Sequence, residues 1–467
     1  MLNLGLRYDS QPPFTDPQDR LLTFIPGARS NVIPTAPLSL QFPGDPGITR
    51  GIVKTDKNNF APRVGLAWDP FGDGKTSVRA AAGVFFGSIS ADEWSSSANQ
   101  QPFSIRQVFN SPRSLTDPYG GLPGGVSPFP YVYDPRSPRF LANAPIQSIG
   151  TDFRWPYTYQ LNLSVQREIT SDLSVTAAYV STLGRRWPTI RDINYPVFGA
   201  GATAANVNAR RPIQPQPNTY SAITSLESTV NTAYHGLQLT AEKRLTAGVS
   251  FKGFYTFSKA LDGANSSAAN GATSLQNPTN QRADRGRTNT DRRHSFVLSA
   301  IWNLDYFKGS NAVARGLLNH WALSAIVSAR SGTPLTITAG SDRNLDGVNN
   351  DRANLTGDPR LDPNRSRSEV TAKWLDRAAF AQPATGQDGT AGRNIVDGPG
   401  SKNVDLGLFR DFRLTEKLNL QFRCEMTNAL NLVNLSAPNT ILSSTAFGTI
   451  TAASPMRQVQ LGLRLAF

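Results

Sequence analysis

Apolar and polar residues alternate with a period of two over one stretch of this chain after another. Tyr157, Tyr159, Leu161, Leu163 and Val165 alternate with Thr158, Gln160, Asn162, Ser164 and Gln166. Leu173, Val175, Ala177 and Tyr179 repeat the pattern after a break, as do Val249, Phe251, Tyr255 and Phe257. Leu418, Leu420, Phe422, Cys424 and Met426 alternate with Asn419, Gln421, Arg423, Glu425 and Thr427. Successive side chains of a strand point to opposite faces, so each stretch predicts a strand with one apolar and one polar face. On this basis strands are expected over 2–9, 59–69, 75–87, 155–168, 172–186, 233–244, 248–260, 292–305, 320–338, 400–413, 416–430 and 456–467. The fold class is all-β and antiparallel, with about twelve strands.

Alternation alone fits a soluble sandwich as well as a membrane barrel; the connections separate the two. Short turns fall at Asp69–Lys75, Thr170–Asp172, Leu245–Gly248 and Leu414–Glu416. Between them lie long segments rich in Pro, Gly, Asn and Ser, at 10–58, 88–154, 187–232, 261–291 and 339–399. Structureless loops of that length argue against a compact soluble domain. Short periplasmic turns and long extracellular loops are the asymmetry of a transmembrane β-barrel. Arg423 and Glu425 share a face with Asn419 and Gln421, which makes that face the wet one and the opposite face the lipid one.

The chain closes on Val459, Leu461, Leu463, Leu465 and Phe467 along one strand face, ending on the aromatic residue itself. That pattern resembles the assembly signal of bacterial outer-membrane barrels, which implies that the barrel assembly machinery reads this strand. With Phe467 at the periplasm, counting back makes the first strand run outward. Trp68, Trp302, Trp321, Phe412 and Phe467 then fall near periplasmic ends, and Trp155, Tyr157 and Trp187 near extracellular ones. Aromatic girdles occupy those levels in membrane barrels.

Composition narrows the picture without changing it. Apolar residues make up 39% of the 467 residues, and mean hydropathy is −0.33. No run of about eighteen apolar residues exists, so a transmembrane helix is not expected. The 47 Lys+Arg against 34 Asp+Glu give a net charge of +13. Those charges are scattered through loops and strand ends and not clustered with aromatics, which argues against nucleic acid as a partner. A solvated basic surface, or one facing anionic lipopolysaccharide, fits them. The single cysteine, Cys424, excludes an internal disulfide and sits on an apolar strand face. Met1–Tyr8 reads as a strand in progress and lacks the features of a signal peptide, so the chain is expected to be a fragment.

Candidate chemistry is sparse. In Asp342–Asp351, Asp342, Asn344, Asp346 and Gly347 match the start of an Asp-x-Asn-x-Asp-Gly calcium loop. Val348 supplies a carbonyl, Asn350 holds the ninth position, and Asp351 stands near a twelfth position occupied by Ala353 in place of Glu. Calcium in an extracellular loop is one reading; a turn-rich polar loop that binds nothing is the other. Gly74-Lys75-Thr76 lacks the upstream glycine of a phosphate-binding loop, since Asp69 stands there. His235, His294 and His320 show no metal-ligand spacing, and no catalytic elbow or zinc motif occurs. No enzyme is expected. The Arg282–Arg293 run reads as a salt-bridged loop base or as a patch for an anionic ligand.

Asn59–Pro70 with Val78–Phe86 resembles mid-barrel strands of TonB-dependent outer-membrane receptors. Tyr157–Arg167, Phe254–Asp262 and Asp291–Phe296 resemble the Oar-like branch of that family. The resemblance implies a barrel of about twenty-two strands around a plug, of which this chain would be the C-terminal twelve or so. It also implies TonB-driven uptake of a bulky or scarce solute, with TonB acting through parts outside this chain. A structural or adhesive surface barrel and a passive twelve-stranded pore are the competing expectations.

Overall fold

The computed structural model describes residues 1–105, 114, 116–117, 129–216, 219–263, 275–309, 311–415 and 418–467. Parts of the segments 88–154, 187–232 and 261–291, and Glu416 of the last short turn, lie outside the described residues. Long strands succeed one another through a single sheet: β1 (Leu2–Gln11), β2 (Asp56–Trp68), β3 (Thr76–Phe86), β4 (Tyr157–Thr170), β5 (Leu173–Asp192) and β6 (Tyr220–Thr246). The series continues with β7 (Val249–Asp262), β8 (His294–Leu304), β9 (Trp321–Arg330), β10 (Ser401–Arg413), β11 (Asn419–Thr427) and β12 (Gln458–Ala466). Each is antiparallel to its neighbour in sequence, so this path is a meander. Among the described residues β1 pairs only with β2, and β12 only with β11.

The short turns follow from their residues. Ala247 and Gly248 both take positive φ (51° and 79°), the geometry of the two-residue hairpin turn that matches strand twist. In the turn before β3 the Asp69 carboxylate accepts from the N–H groups of Phe71, Gly72 and Gly74 at 2.8–3.2 Å. Gly74-Lys75-Thr76 therefore belongs to a hairpin and not to a phosphate cradle. The connection from β8 to β9 carries a short helix, α1 (Ala312–Leu318).

Register makes the two faces continuous. Leu461 lies opposite Cys424, Cys424 opposite Leu408, Leu408 opposite Leu323, Leu323 opposite Trp302 and Trp302 opposite Val249. On the other face Gln238, Thr256, Ser295, Arg330 and Ser401 succeed one another from strand to strand. One apolar sheet surface thus remains exposed and the polar surface lies opposite, the arrangement expected of a wall between lipid and water. No helix of the described residues is long and apolar enough to cross a membrane. Cations enter the apolar surface at the short-turn end, among them Arg167 opposite Val175, Lys243 opposite Phe251, and Arg410 opposite Phe422. Arg410 is buried there beneath the rings of Trp321 and Phe412 and donates to the Leu317 carbonyl at 2.6 Å.

The long loops depart from expectation. They are not structureless: the buried apolar residues of this molecule lie mostly in them. Leu21, Ile52, Trp94, Phe153, Trp155 and Leu226 share one core, and Leu22, Phe42, Ile146 and Tyr220 a second. Ile337, Leu375, Phe380, Val396 and Phe447 share a third. β5 and β6 run to 20 and 27 residues, well beyond the ten or so that cross a bilayer, and their free ends carry this cap. The strand Ala144–Ile149 pairs parallel to the β6 extension. Trp155 accordingly does not join a lipid-interface girdle. It is buried, stacked on Trp94 at 6.0 Å, with its indole N–H donated to the Gln11 carbonyl. The expected strand over 320–338 stops at Arg330, and Pro334–Leu335 beyond it pairs with Val396–Asp397 in a separate short ladder.

Candidate functional site

The long-loop end gathers the polar chemistry that the sheet lacks, and Asp342–Asp351 sits within it. Asn344 (7% exposed), Asp346 (5%) and Asp351 (0%) are buried; Asp342 and Asn350 are half-buried. The loop folds around its own acidic side chains. Asp342 accepts from the N–H groups of Asp346 (3.1 Å) and Gly347 (2.9 Å), and Gly347 has φ of 89°, a backbone that glycine adopts without strain. Asn344 Oδ1 also accepts from Asp346 N–H, and Asp346 from Val348 N–H at 2.7 Å. Asp351 Oδ2 accepts from the backbone N–H groups of Arg343 and Asn344.

Residues without any local sequence signal complete the surroundings. Asn344 Nδ2 donates to the Tyr195 hydroxyl, the Gln276 carbonyl and Asp388. Asn350 Nδ2 donates to the Leu275 carbonyl at 2.8 Å. These partners come from segments 44 to 149 residues away, so nothing in the motif announces them. Burial pushes the Asp346 carboxyl up to about 6, with Asp342 and Asp351 adding to the rise. Burial raises Asp351 as well, with Asp342 and Asp388 contributing. Tyr195 is raised far above the ordinary phenol range, first by burial and then by Asp346 and Asp388. Among the described residues no three His, Cys, Asp or Glu side chains form a metal site by themselves.

The Arg282–Arg293 run is bound into the loop base. Arg287 pairs with Asp397 at 2.6 Å, Arg292 donates to the Ser331 carbonyl at 2.7 Å, and Asp284 is buried against Arg352. Desolvation outweighs that partner, and the Asp284 carboxyl is raised. The three histidines stand apart, with Tyr179 beside His235, Tyr255 beside His294 and Asp305 beside His320. Arg423 and Glu425 pair with each other at 3.0 Å on the polar sheet face. Val459, Leu461, Leu463 and Leu465 are all exposed along β12, and Phe467 is 98% exposed at its end.

An outer membrane transporter from Escherichia coli, YddB, aligns with 87% of this chain and 41% of its own, at 11% identity and a TM-score of 0.44. The ferripyoverdine receptor of the outer membrane of Pseudomonas aeruginosa aligns with 89% of this chain and 34% of its own, at 10% identity and a TM-score of 0.40. The ferric-catecholate import receptor Fiu from E. coli K12 aligns with 98% and 41%, at 11% identity and a TM-score of 0.39. The chain spans less than half the length of each of these structures. No curated protein matches it. A family model described as "Outer membrane beta barrel domain" matches residues 1–460. A meander of antiparallel strands with one continuous apolar face, matched over nearly all its length by that model, belongs to the outer membrane beta barrel domain family, and its place is the bacterial outer membrane.

Proposed function

We propose that this chain is the C-terminal barrel portion of a TonB-dependent receptor of the Oar-like branch, which takes up a bulky or scarce solute. The observation that carries this reading is the pair of edges: β1 and β12 each have a single strand partner among the described residues. Both edges present exposed apolar residues, Leu2, Leu4 and Leu6 on one and Leu461, Leu463 and Leu465 on the other. Unpaired backbone N–H and C=O groups cost several kcal/mol each in lipid. Further strands pairing with β1 and β12 would remove that cost, and a wider barrel would hold a plug against the polar face.

In this reading the packed cap at the long-loop end makes first contact with the solute. TonB, energised from the inner membrane, displaces a plug supplied by other parts of the protein. The assembly machinery reads β12, and the basic loops meet lipopolysaccharide. By itself the chain carries out no active uptake and no catalysis. The upstream reading frame tests the proposal: an in-frame plug and TonB box support it. A signal peptide directly ahead of Met1 overturns it in favour of a complete small barrel. Conductance of the purified chain in liposomes then decides whether that barrel is a passive pore or a surface structure.

A further inference from the structure

We propose that the Asp342–Asp351 loop binds one calcium ion, through Asp342, Asn344, Asp346, the Val348 carbonyl, Asn350 and Asp351. Calcium takes six to eight oxygen ligands in flexible geometry, and these six residues offer oxygens only. Magnesium, smaller and strictly octahedral, keeps its waters and suits a crowded protein cage less well.

Two buried side-chain oxygens of this loop lack a hydrogen-bond partner. Asp351 is fully buried, its Oδ2 is taken by two backbone N–H groups, and its Oδ1 has no hydrogen-bond partner. Asn350 Oδ1 is likewise without a partner, because its Nδ2 is tied to the Leu275 carbonyl and turns the oxygen the other way. A buried, unpaired carboxylate oxygen is expensive unless something positive meets it. The neighbouring cations are engaged elsewhere. Arg343 Nε donates to the Pro383 carbonyl, Arg210 to the Leu345 carbonyl and Arg352 to Asp284. Among the described residues none of Asp342, Asp346 or Asp351 takes part in an ion pair.

The surroundings orient the remaining donors. Asn344 spends its amide N–H groups on Asp388, Tyr195 and Gln276, which leaves Oδ1 directed into the loop. The Val348 carbonyl accepts from Asn350 N–H and keeps a second lone pair. Among the described residues no three carboxylates form a metal site by themselves, so the proposed site depends on the amide and carbonyl oxygens as well. Burial, and then the neighbouring carboxylates, displace Asp346 and Asp351 upward. A bound ion would tie together the loops that meet at Asn344.

The test uses the full chain in detergent, stripped with EGTA and titrated with calcium chloride at pH 7.5 by calorimetry. One site with a dissociation constant of about 10⁻⁴ to 10⁻³ M is expected, the range of extracellular modules. Asp342→Ala and Asp346→Ala should each weaken it at least about tenfold, whereas Asp358→Ala, outside the loop, leaves it unchanged. Limited trypsin digestion of the unaltered chain supplies a readout independent of variant folding: calcium should slow cleavage after Arg343 and Arg352. No calcium binding by the unaltered chain, unchanged affinity in both loop variants, or equal protection by magnesium at the same concentration overturns the proposal.

Discussion

The sheet and the cap of this molecule put the same kinds of apolar side chain to opposite uses. In the sheet Leu461, Leu463, Leu239 and Leu163 point outward and stay exposed, because lipid is their partner. In the cap Leu22, Phe42, Trp94 and Ile337 are buried against one another, as in a soluble domain. The sheet is held by ladder hydrogen bonds whose loss lipid cannot compensate. The cap is held by hydrophobic burial and by carboxylates that gather backbone N–H groups, so it should respond to substitutions as a water-soluble core does. The two regions should therefore fail separately.

The largest effect should come from the cap. Trp94 is packed between Trp155, Phe153 and Phe14, and Trp94→Ala should remove about 3–5 kcal/mol of cap stability. Proteolysis should then cut the loops while the sheet keeps its heat-modifiable migration on a gel. If both are lost together, the regions are one cooperative unit. Next comes a charge on the lipid face. Leu406 lies opposite Ala325 and Met426, and Leu406→Arg should cost about 2–4 kcal/mol on urea unfolding in lipid. Ser328→Arg on the polar face should cost far less; equal penalties would mean that the two faces are not distinct in environment.

Between these lies Asp45, buried at a turn, which accepts from the Ser30 hydroxyl and the N–H groups of Asn31, Val32 and Phe42 at 2.7–3.0 Å. Asp45→Ala leaves the buried Phe42 N–H without its acceptor and should cost about 1–3 kcal/mol, read from the melting of the cap. A normal melting temperature would mean that water replaces the carboxylate.

The two regions also differ in how far they could be read from sequence. A strand's two-residue period is local, so Leu161 and Leu163 disclose their face from their immediate neighbours. Register then followed from turns as short as Ala247-Gly248. The cap's contacts are non-local. Trp155 meets Trp94, and Tyr220 donates its hydroxyl to the Leu38 carbonyl 182 residues away. Nothing periodic marks such pairs, which is why these segments read as polar loops. β6 extends beyond its sequence signal for a related reason: Tyr220, Ile223, Leu226 and Val230 follow no two-residue period and are buried in the cap. In the Asp342–Asp351 loop the donor spacing was legible, whereas Tyr195, Gln276 and Asp388 were not.

The pH response separates the regions again. Asp346 is lifted to about 6 and Asp351 is lifted too, so both carboxyls bind a proton more readily folded than unfolded. The contribution of Asp346 to stability is fully present below about pH 4, the unfolded value, and is lost as pH rises through about 6; that of Asp351 is lost in the same direction. In EGTA the cap's melting temperature should therefore fall between pH 5 and 7 while the sheet's holds steady. A cap that grows more stable over that interval would contradict the assigned burial of these carboxyls.

The smallest effect concerns the polar face of the sheet, where Arg423 and Glu425 pair at 3.0 Å with more than two fifths of each side chain exposed. An ion pair so open to water contributes under about 1 kcal/mol, because solvent screens it and two long side chains lose freedom in making it. Buried in a dry interior, the same pair broken on one side would cost about 3–5 kcal/mol. Arg423→Gln and Glu425→Gln, alone and together in a double-mutant cycle followed by urea unfolding in lipid, should give a coupling below about 1 kcal/mol that fades with added salt. A coupling of several kcal/mol, insensitive to salt, would mean that protein covers this face of the sheet. In a receptor that covering is the plug, so the weakest interaction measured on the isolated chain reports whether its polar face looks into water or into another part of the protein.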